Sequence, residues 1–295
     1  MPESRRTWAP TFPLDVGALL RPLRRGPGDP SFSAVDGVRL AANTPTGPGT
    51  LRLTRADVVT AQAWGDGAEW LLDRVPALLG ADDDDSGFVG HHPLITETRR
   101  RLPGLRLGAT GRVWDALLPA VLEQKVTGTE AHRSYAALCR RFGAPAPGTP
   151  GMFVPPTPRA LLAVTDWEWH AAGVDGARRR TLIAAAQVAH RLETDLRGEE
   201  GRTLLRKVPG IGVWTAAEVA QRAWGDPDAV SFGDYHLANL VGEALLGQRI
   251  DDDEMAVVLA PYAPQRQRAV RYIESSGFRR ERRAPRFSPR DYRTH

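Results

Sequence analysis

The chain is poor in the residues that build metal centres and cross-links, and it has no long apolar run. Its 295 residues include a single cysteine, Cys139. An internal disulfide, a zinc ribbon and a cysteine-ligated iron–sulfur cluster are therefore excluded. No apolar segment approaches the roughly 20 residues that span a bilayer, and the first residues contain no apolar signal core. These absences predict a cytoplasmic protein that does not enter a membrane.

Lysine is also scarce, because only Lys125 and Lys207 occur among 39 lysines and arginines. The net charge is +4 and the sequence pI is about 9.6. Ten arginines lie in the C-terminal segment 266–293. Such a basic strip favours binding to a polyanion, but a solvated, partly disordered tail explains it equally well. Arginine enrichment can also reflect a GC-rich genome.

The pattern of the chain changes near residue 90. Before it, Asp36-Gly37 and Gly47-Pro48-Gly49 are turn signals between short β-branched runs. An amphipathic helix over 68–79 can cover one face of the resulting sheet. We predict an antiparallel α+β unit over 1–90. Residues 91–295 are predicted to form two helical lobes flanking a cleft, followed by the basic tail, so that the fold is mainly α.

Four consecutive aspartates, Asp82–Asp85, end the N-terminal unit. Their mutual repulsion resists compaction, and the spaced ligands and glycine of a calcium loop do not follow. The run therefore predicts a solvated loop rather than a metal site.

The most specific pattern is LLRKVPGIGVWTAAEV, which begins at Leu204. Pro209 ends a short helix, and Gly210 and Gly212 allow positive φ and leave the backbone bare. The next helix opens with Val213-Trp214-Thr215, whose amide N–H groups lack partners within the helix and can hold a phosphate. A plain corner between two helices is the alternative. The complete pattern favours a phosphate site over that alternative.

Asp234 follows Gly212 at a distance that leaves room for one helix and a loop. A carboxylate there can be aimed at a nucleotide drawn out beside the hairpin. It can also serve as the N-cap of the helix that follows. Both roles are compatible with one side chain.

The hairpin pattern resembles the helix–hairpin–helix DNA glycosylases, and Gly233-Asp234-Tyr235-His236-Leu237 resembles their catalytic-aspartate loop. The segment AVLEQKVT, from Ala120 to Thr127, is similar to an early helix end of that family. The likeness covers about 91–275. The N-terminal sheet further resembles the unit that precedes the helices in the bacterial inducible 3-methyladenine glycosylases.

The resemblance implies a role for each matching residue. Asp234 would be the catalytic carboxylate, which stabilises an oxocarbenium-like transition state. Trp214 stands where bifunctional relatives carry a Schiff-base lysine, which implies that the chain does not nick the strand. Other implied roles are DNA contacts by Gly210, Gly212, Val213, Trp214, Thr215, Gln124, Lys125 and His236; a base pocket with Trp214 and Glu218; and a structural Na⁺ or K⁺ on the carbonyls of Arg206, Val208 and Ile211.

The implied activity is that of a monofunctional DNA glycosylase of base-excision repair. It would flip an alkylated or otherwise damaged base out of double-stranded DNA, hydrolyse its N-glycosidic bond and leave an abasic site. No cofactor is implied beyond the structural cation, and the expected state is a nucleoid-associated monomer. Glu218 stands where a pocket tyrosine is expected in this family. Two alternatives therefore stay open: a non-catalytic DNA-binding protein, and a glycosylase for oxidised or deaminated bases.

Overall fold

The computed structural model describes residues 3–279. Within that range an antiparallel sheet comes first and helices make up most of the rest. The five strands of the sheet run in the order β1-β5-β4-β3-β2, each antiparallel to its neighbours. They are β1 (Glu3–Trp8), β2 (Phe32–Ser33), β3 (Val38–Thr44), β4 (Gly47–Arg55) and β5 (Val59–Gly65).

Helices follow the sheet, apart from one that precedes β2. They are α1 (Val16–Leu20), α2 (Ala68–Asp73), α3 (Val75–Leu78), α4 (Pro93–Arg101), α5 (Val113–Leu122), α6 (Gly128–Phe142), α7 (Pro158–Leu162), α8 (Asp166–Ala171), α9 (Gly176–Leu192), α10 (Gly198–Arg206), α11 (Val213–Ala223), α12 (Leu237–Leu245), α13 (Asp252–Leu259) and α14 (Arg266–Ser275). Two 3₁₀ turns (Arg21–Leu23 and Ala260–Tyr262) and a two-stranded ribbon of β6 (Ala144–Pro145) and β7 (Phe153–Val154) complete the architecture.

Three main apolar cores hold these elements together. One lies between the sheet and α1–α3. A second lies among α5, α6, α9 and α11, with Leu117, Leu182 and Val219 fully buried. The third joins α4 to α12, α13 and α14. The predicted fold class, mainly α with an N-terminal antiparallel unit and two helical lobes, is confirmed. The division at residue 90 stays a prediction.

The first predicted turn is confirmed and the second is displaced. Asp36 and Gly37 both have positive φ, at 55° and 89°, and connect β2 to β3. The expected turn at Gly47-Pro48-Gly49 is wrong, because these residues lie in β4. Thr44 pairs with Gly47, so the turn is made by Pro45 and Thr46 instead. Proline at the first central position presets the φ that a turn needs.

The aspartate run is only in part the solvated loop that its charge predicts, because Asp82 and Asp84 are exposed whereas Asp83 and Asp85 form ion pairs. The Asp83 side chain is only 4% exposed and pairs with Arg268, whose side chain is fully buried in α14. Asp85 pairs with Arg99 and Arg106. The acidic loop is therefore fixed to α14 by one buried ion pair, and to α4 and the loop after it by two partly exposed ones. Within the basic segment, 266–275 is an ordered helix, and 280–295 lie outside the described residues.

Over residues 3–279, no helix has the length and apolar character needed to cross a bilayer.

Candidate active site

The helix–hairpin–helix corner consists of α10, the turn 207–212 and α11. Gly210 has φ +88°, a backbone conformation that favours glycine. A Cβ at this position would also lie 2.0 Å from the Thr181 hydroxyl oxygen, so both the backbone angle and the packing require glycine. Gly212 has φ −94°, so the positive φ expected for it is wrong. A Cβ on Gly212 would meet no atom within 4 Å. Its bare backbone thus leaves open space beside the helix start.

Within residues 3–279, no side chain caps the N-terminus of α11. The first backbone bond of the helix runs from the Ala216 N–H to the Gly212 carbonyl at 3.0 Å. The N–H groups of Val213, Trp214 and Thr215 therefore precede the hydrogen-bonded ladder of the helix. Because Val213 is 48% exposed, this end of the helix is accessible to solvent. A helix N-terminus of this kind attracts an anion.

Gln124 braces the hairpin from the end of α5. Its amide nitrogen donates to the Gly210 carbonyl at 3.0 Å and to the Thr215 hydroxyl at 2.8 Å. Thr215 as a whole is buried, at 2% exposure. The next residue, Lys125, is exposed and has φ +53°. DNA contacts by Gln124 and Lys125 stay predictions, and Gln124 has in addition a positioning role.

Asp234 lies in the loop before α12. Its Oδ1 accepts the backbone N–H groups of His236 at 2.8 Å and Leu237 at 3.0 Å, which closes a turn just before α12. The expected N-cap role of Asp234 is wrong, because the N-cap of α12 is His236. Its Oδ2 accepts the Trp214 indole N–H at 3.3 Å. The Gly233 N–H is held by Asp252 at 3.0 Å. One carboxylate oxygen thus fixes the loop, while the other points toward the start of α11.

A polar pocket opens beside Asp234, between α11 of one lobe and α12 and α14 of the other. It encloses about 450 Å³ including its open mouth. The lining residues are Glu218, Gln221, Ser231, Asp234, His236, Leu237, Leu240, Gln267, Val270 and Glu274. Glu218 lines this pocket, and its role in binding a base stays a prediction. Trp214 does not line the pocket, but its indole N–H donates to the carboxylate of Asp234, which does.

Glu218 contributes a carboxylate to the wall of this pocket. Its carboxylate pairs with Arg222 at 2.8 Å and accepts the Ser231 hydroxyl at 2.5 Å. Burial by itself raises the pKa of the Glu218 carboxyl. The Arg222 guanidinium and the Ser231 hydroxyl outweigh that effect and hold the pKa below its ordinary value. The charge of Glu218 is thus matched by a neighbouring arginine rather than by solvent.

The carbonyls proposed to hold a monovalent cation lie at the same corner. The Val208 carbonyl accepts the Ile211 N–H at 3.1 Å, which leaves it one further lone pair. Among residues 3–279, no group of three or more His, Cys, Asp or Glu side chains is placed to bind a metal. The structural cation on Arg206, Val208 and Ile211 stays a prediction.

Sequence reasoning missed Gln267, Ser231 and Gln221. Gln267 is 4% exposed, and with Val270 and Glu274 it forms one face of α14 that lines the pocket. The signal that was available is this spacing, because positions i, i+3 and i+7 share one face of a helix. Nothing in the sequence singles out Ser231, which reaches the pocket from an irregular loop.

Curated proteins with similar sequences share part of this chain. Across 199 residues it is 29% identical to a Mycobacterium tuberculosis protein named "Probable bifunctional transcriptional activator/DNA repair enzyme AlkA", over 66% of this chain and 38% of that protein. Across 137 residues it is 31% identical to DNA-3-methyladenine glycosylase 2 of Escherichia coli, over 45% of this chain and 49% of that protein. The chain thus spans less than half the length of these two relatives. No family model matches it.

Solved structures share the fold over nearly the whole chain. The 3-methyladenine DNA glycosylase of Archaeoglobus fulgidus superposes with a TM-score of 0.74 at 16% identity, covering 91% of this chain and 96% of that one. The 8-oxoguanine glycosylase/lyase of Clostridium acetobutylicum superposes with a TM-score of 0.67 at 11% identity, covering 90% and 93%. At these identities the likeness establishes the fold. With the sequence matches and the hairpin–aspartate geometry, the chain is similar to these glycosylases, and it shares the fold of the solved ones.

Proposed function

We propose that this protein is a monofunctional DNA glycosylase of base-excision repair. It binds double-stranded DNA at an alkylated or otherwise damaged base, turns that nucleotide out of the helix and hydrolyses its N-glycosidic bond. The product strand is intact and carries an abasic site. The observation that carries this proposal is the hydrogen bond of Trp214 to Asp234, which joins the exposed helix start to a carboxylate at the mouth of a pocket.

The start of α11 supports phosphate binding. Its three leading N–H groups carry the positive end of the helix dipole, and no side chain in the described part of the chain caps them. A backbone phosphate that docks on Val213, Trp214 and Thr215 lies next to Asp234. The flipped nucleotide then enters the pocket between the lobes.

The bound geometry of Asp234 supports electrostatic catalysis. Because the N–H groups of His236 and Leu237 fix Oδ1, the carboxylate cannot rotate freely. Loss of the base builds positive charge on the sugar, and a preorganised carboxylate stabilises that charge without reorganising. Asp234 also orients the attacking water in this mechanism.

The absence of strand cleavage follows from the same hairpin. A lyase needs an amine nucleophile at the sugar, and the position two residues after Gly212 holds Trp214. Lys207, on the other side of the turn, immediately follows α10 as its C-cap. The protein acts as a monomer in the cytoplasm, associated with the nucleoid, and its one ion is the structural cation at the hairpin.

Product analysis tests this proposal. The protein is incubated with a methylated duplex, released bases are separated by chromatography, and the strand is examined before and after alkali. We expect free alkylated base and a strand that breaks only after alkali. Strand breakage without alkali, or a borohydride-trapped protein–DNA adduct, contradicts the monofunctional assignment. Tight binding without release of any base favours the alternative of a non-catalytic DNA-binding protein.

A further inference from the structure

The buried side chain of Arg25, in the loop before β2, is bonded to the end of α5. Arg25 is 6% exposed, and its guanidinium donates to the Glu123 carboxylate at 3.0 Å. His132 lies 3.9 Å from the same carboxylate, which is beyond hydrogen-bond distance. Among the described residues, Arg25 is therefore the side chain that holds Glu123. A buried ion pair adds little net stability, and one reason for keeping it is the conformation that it specifies.

The loop that carries Arg25 is itself anchored. The Arg25 backbone N–H donates to Asp29 at 2.6 Å, and the same carboxylate accepts the backbone N–H and the hydroxyl of Ser31, both at 2.8 Å. Earlier in the loop, the Pro22 carbonyl accepts the Nε–H of Arg222 at 3.4 Å. Arg222 belongs to α11, so the loop contacts both helices that meet at the hairpin.

Glu123 directly precedes the residue that braces the hairpin. The amide nitrogen of Gln124 donates to the Gly210 carbonyl and to the Thr215 hydroxyl. The residue after it, Lys125, has φ +53°, a backbone conformation that residues other than glycine rarely adopt. The backbone of Gln124 is thus held between a fixed neighbour and a sharp turn. Two hydrogen-bonding side chains, those of Arg25 and Gln124, connect the loop before β2 to the hairpin.

We propose that Arg25 is a positioning residue for DNA binding, which acts through Glu123 and Gln124 to hold the hairpin in the shape that receives a phosphate. This inference rests on the phosphate-binding role proposed above for the start of α11. Because Arg25 is buried behind the hairpin, its effect on DNA passes through these neighbours rather than through a contact of its own.

A double-mutant cycle between Arg25 and Gln124 tests this connection. The affinities for an undamaged duplex and for one with a single alkylated base are measured by fluorescence anisotropy over a range of salt, for Arg25→Met, Gln124→Leu and the double variant. Arg25→Lys tests for rescue by the retained charge. Arg52→Met is the matched control, because the Arg52 side chain bonds Asp36 and Gln62 at the sheet. Thermal melts establish that each variant is folded at the assay temperature.

Arg25→Met is expected to weaken binding of both duplexes by about 3- to 10-fold, the effect of losing about one hydrogen bond at the hairpin. The slope of log K against log salt should not change, because no phosphate contact is removed. In the Gln124→Leu background, the same substitution should change the affinity by less than about 2-fold. Arg25→Lys should bind within about 3-fold of the wild type, because an ammonium can also make a charge-assisted bond to Glu123. Arg52→Met should bind like the wild type.

An equal loss of affinity on Arg25→Met in the wild-type and Gln124→Leu backgrounds overturns the proposal, and so does an unchanged affinity. A salt slope that is shallower by about 0.9 also overturns it, since that is the mark of a direct phosphate contact. If Arg25→Met does not fold, Glu123→Gln takes its place in the cycle. Glutamine keeps an acceptor for Arg25 and removes only the charge, so a smaller loss is expected and the same comparison decides.

The outcome for the wild type separates this proposal from the glycosylase assignment. If the wild type binds both duplexes but releases no base, the glycosylase assignment fails and the positioning role of Arg25 stands, because affinity is its readout. If the wild type binds neither duplex, both fail.

Discussion

Substitutions of Gly212 at the hairpin should change the stability of α11 and the affinity of the protein for DNA independently of each other. Gly212 is the N-cap of α11, with φ −94° and ψ −172°, and a Cβ there enters open space. An aspartate or asparagine is therefore accommodated without strain. Both are preferred N-cap residues, and each should stabilise the protein by a few tenths of a kcal/mol relative to glycine.

Gly212→Asp and Gly212→Asn introduce side chains of similar size that differ in charge, and we expect the charge to determine the affinity for DNA. A carboxylate on residue 212 lies where the backbone phosphate is proposed to dock. Two unit charges at about 4 Å repel by roughly 1 kcal/mol in water and roughly 4 kcal/mol near a protein surface. At 1.4 kcal/mol for each factor of ten, Gly212→Asp should weaken binding by about 5-fold to about 700-fold. Gly212→Asn should bind within about 2-fold of the wild type, because the N–H groups of α11 remain available beside a neutral cap.

The assay is fluorescence anisotropy with undamaged and damaged duplexes over a range of salt, alongside thermal melts. For Gly212→Asp the dependence of log K on log salt should become shallower by about 0.9, the value of one lost phosphate contact. All duplexes should be affected alike. Equal weakening by Asp and Asn would show that bulk rather than charge matters. Weakening on one lesion only would refute phosphate binding at this position.

Three other substitutions test parts of the structure. Gly210→Ala should destabilise the protein by at least about 1–2 kcal/mol in urea unfolding, because φ is +88° and the new methyl group meets Thr181; an unchanged midpoint would contradict this. Arg268→Met should cost about 3–5 kcal/mol by leaving Asp83 buried without its partner; a loss below about 1 kcal/mol would show that water reaches that carboxylate. Because the pKa of Glu218 is lowered in the folded state, its carboxylate adds stability above the ordinary value of 4.5 that is lost as the pH falls through the folded pKa. Melting temperatures of wild type and Glu218→Gln should therefore converge in acid, and a constant difference from neutral to acidic pH would contradict that linkage.

Local rules explain why the hairpin could be predicted. Proline and glycine act on the backbone within a few residues, so the ends of α10 and α11 are set by neighbours in sequence. The turn that Asp234 closes before α12 is local for the same reason, since its partners are two and three residues away. Gly212 departs from these local rules, because its φ of −94° does not require glycine. What its missing side chain provides is open space beside the start of α11.

Long-range partners explain what the sequence could not predict. Asp83 is buried because Arg268 reaches it from a helix 185 residues later, and the charge pattern of Asp82–Asp85 gives no sign of that partner. Gln267 and Glu218 share a pocket only because α11 and α14 belong to lobes that meet around it. The prediction placed the turn of Pro45 and Thr46 two residues too late, at Gly47-Pro48-Gly49, because it relied on the two glycines there.

The most direct measurement concerns the charge of Asp234. Asparagine at 234 keeps an oxygen to accept the His236 and Leu237 N–H groups, so the turn before α12 is preserved. The charge is lost, together with the hydrogen bond that Oδ2 accepts from the Trp214 indole. Asp251→Asn is the matched control, because Asp251 caps α13 through Glu254 and does not line the pocket. Single-turnover base release from one alkylated duplex, at saturating protein, should fall by about 100-fold or more for Asp234→Asn, the loss seen when one preorganised electrostatic group is removed. Asp251→Asn should retain the wild-type rate. Equal release by wild type and Asp234→Asn would contradict the assignment of Asp234 as the catalytic carboxylate.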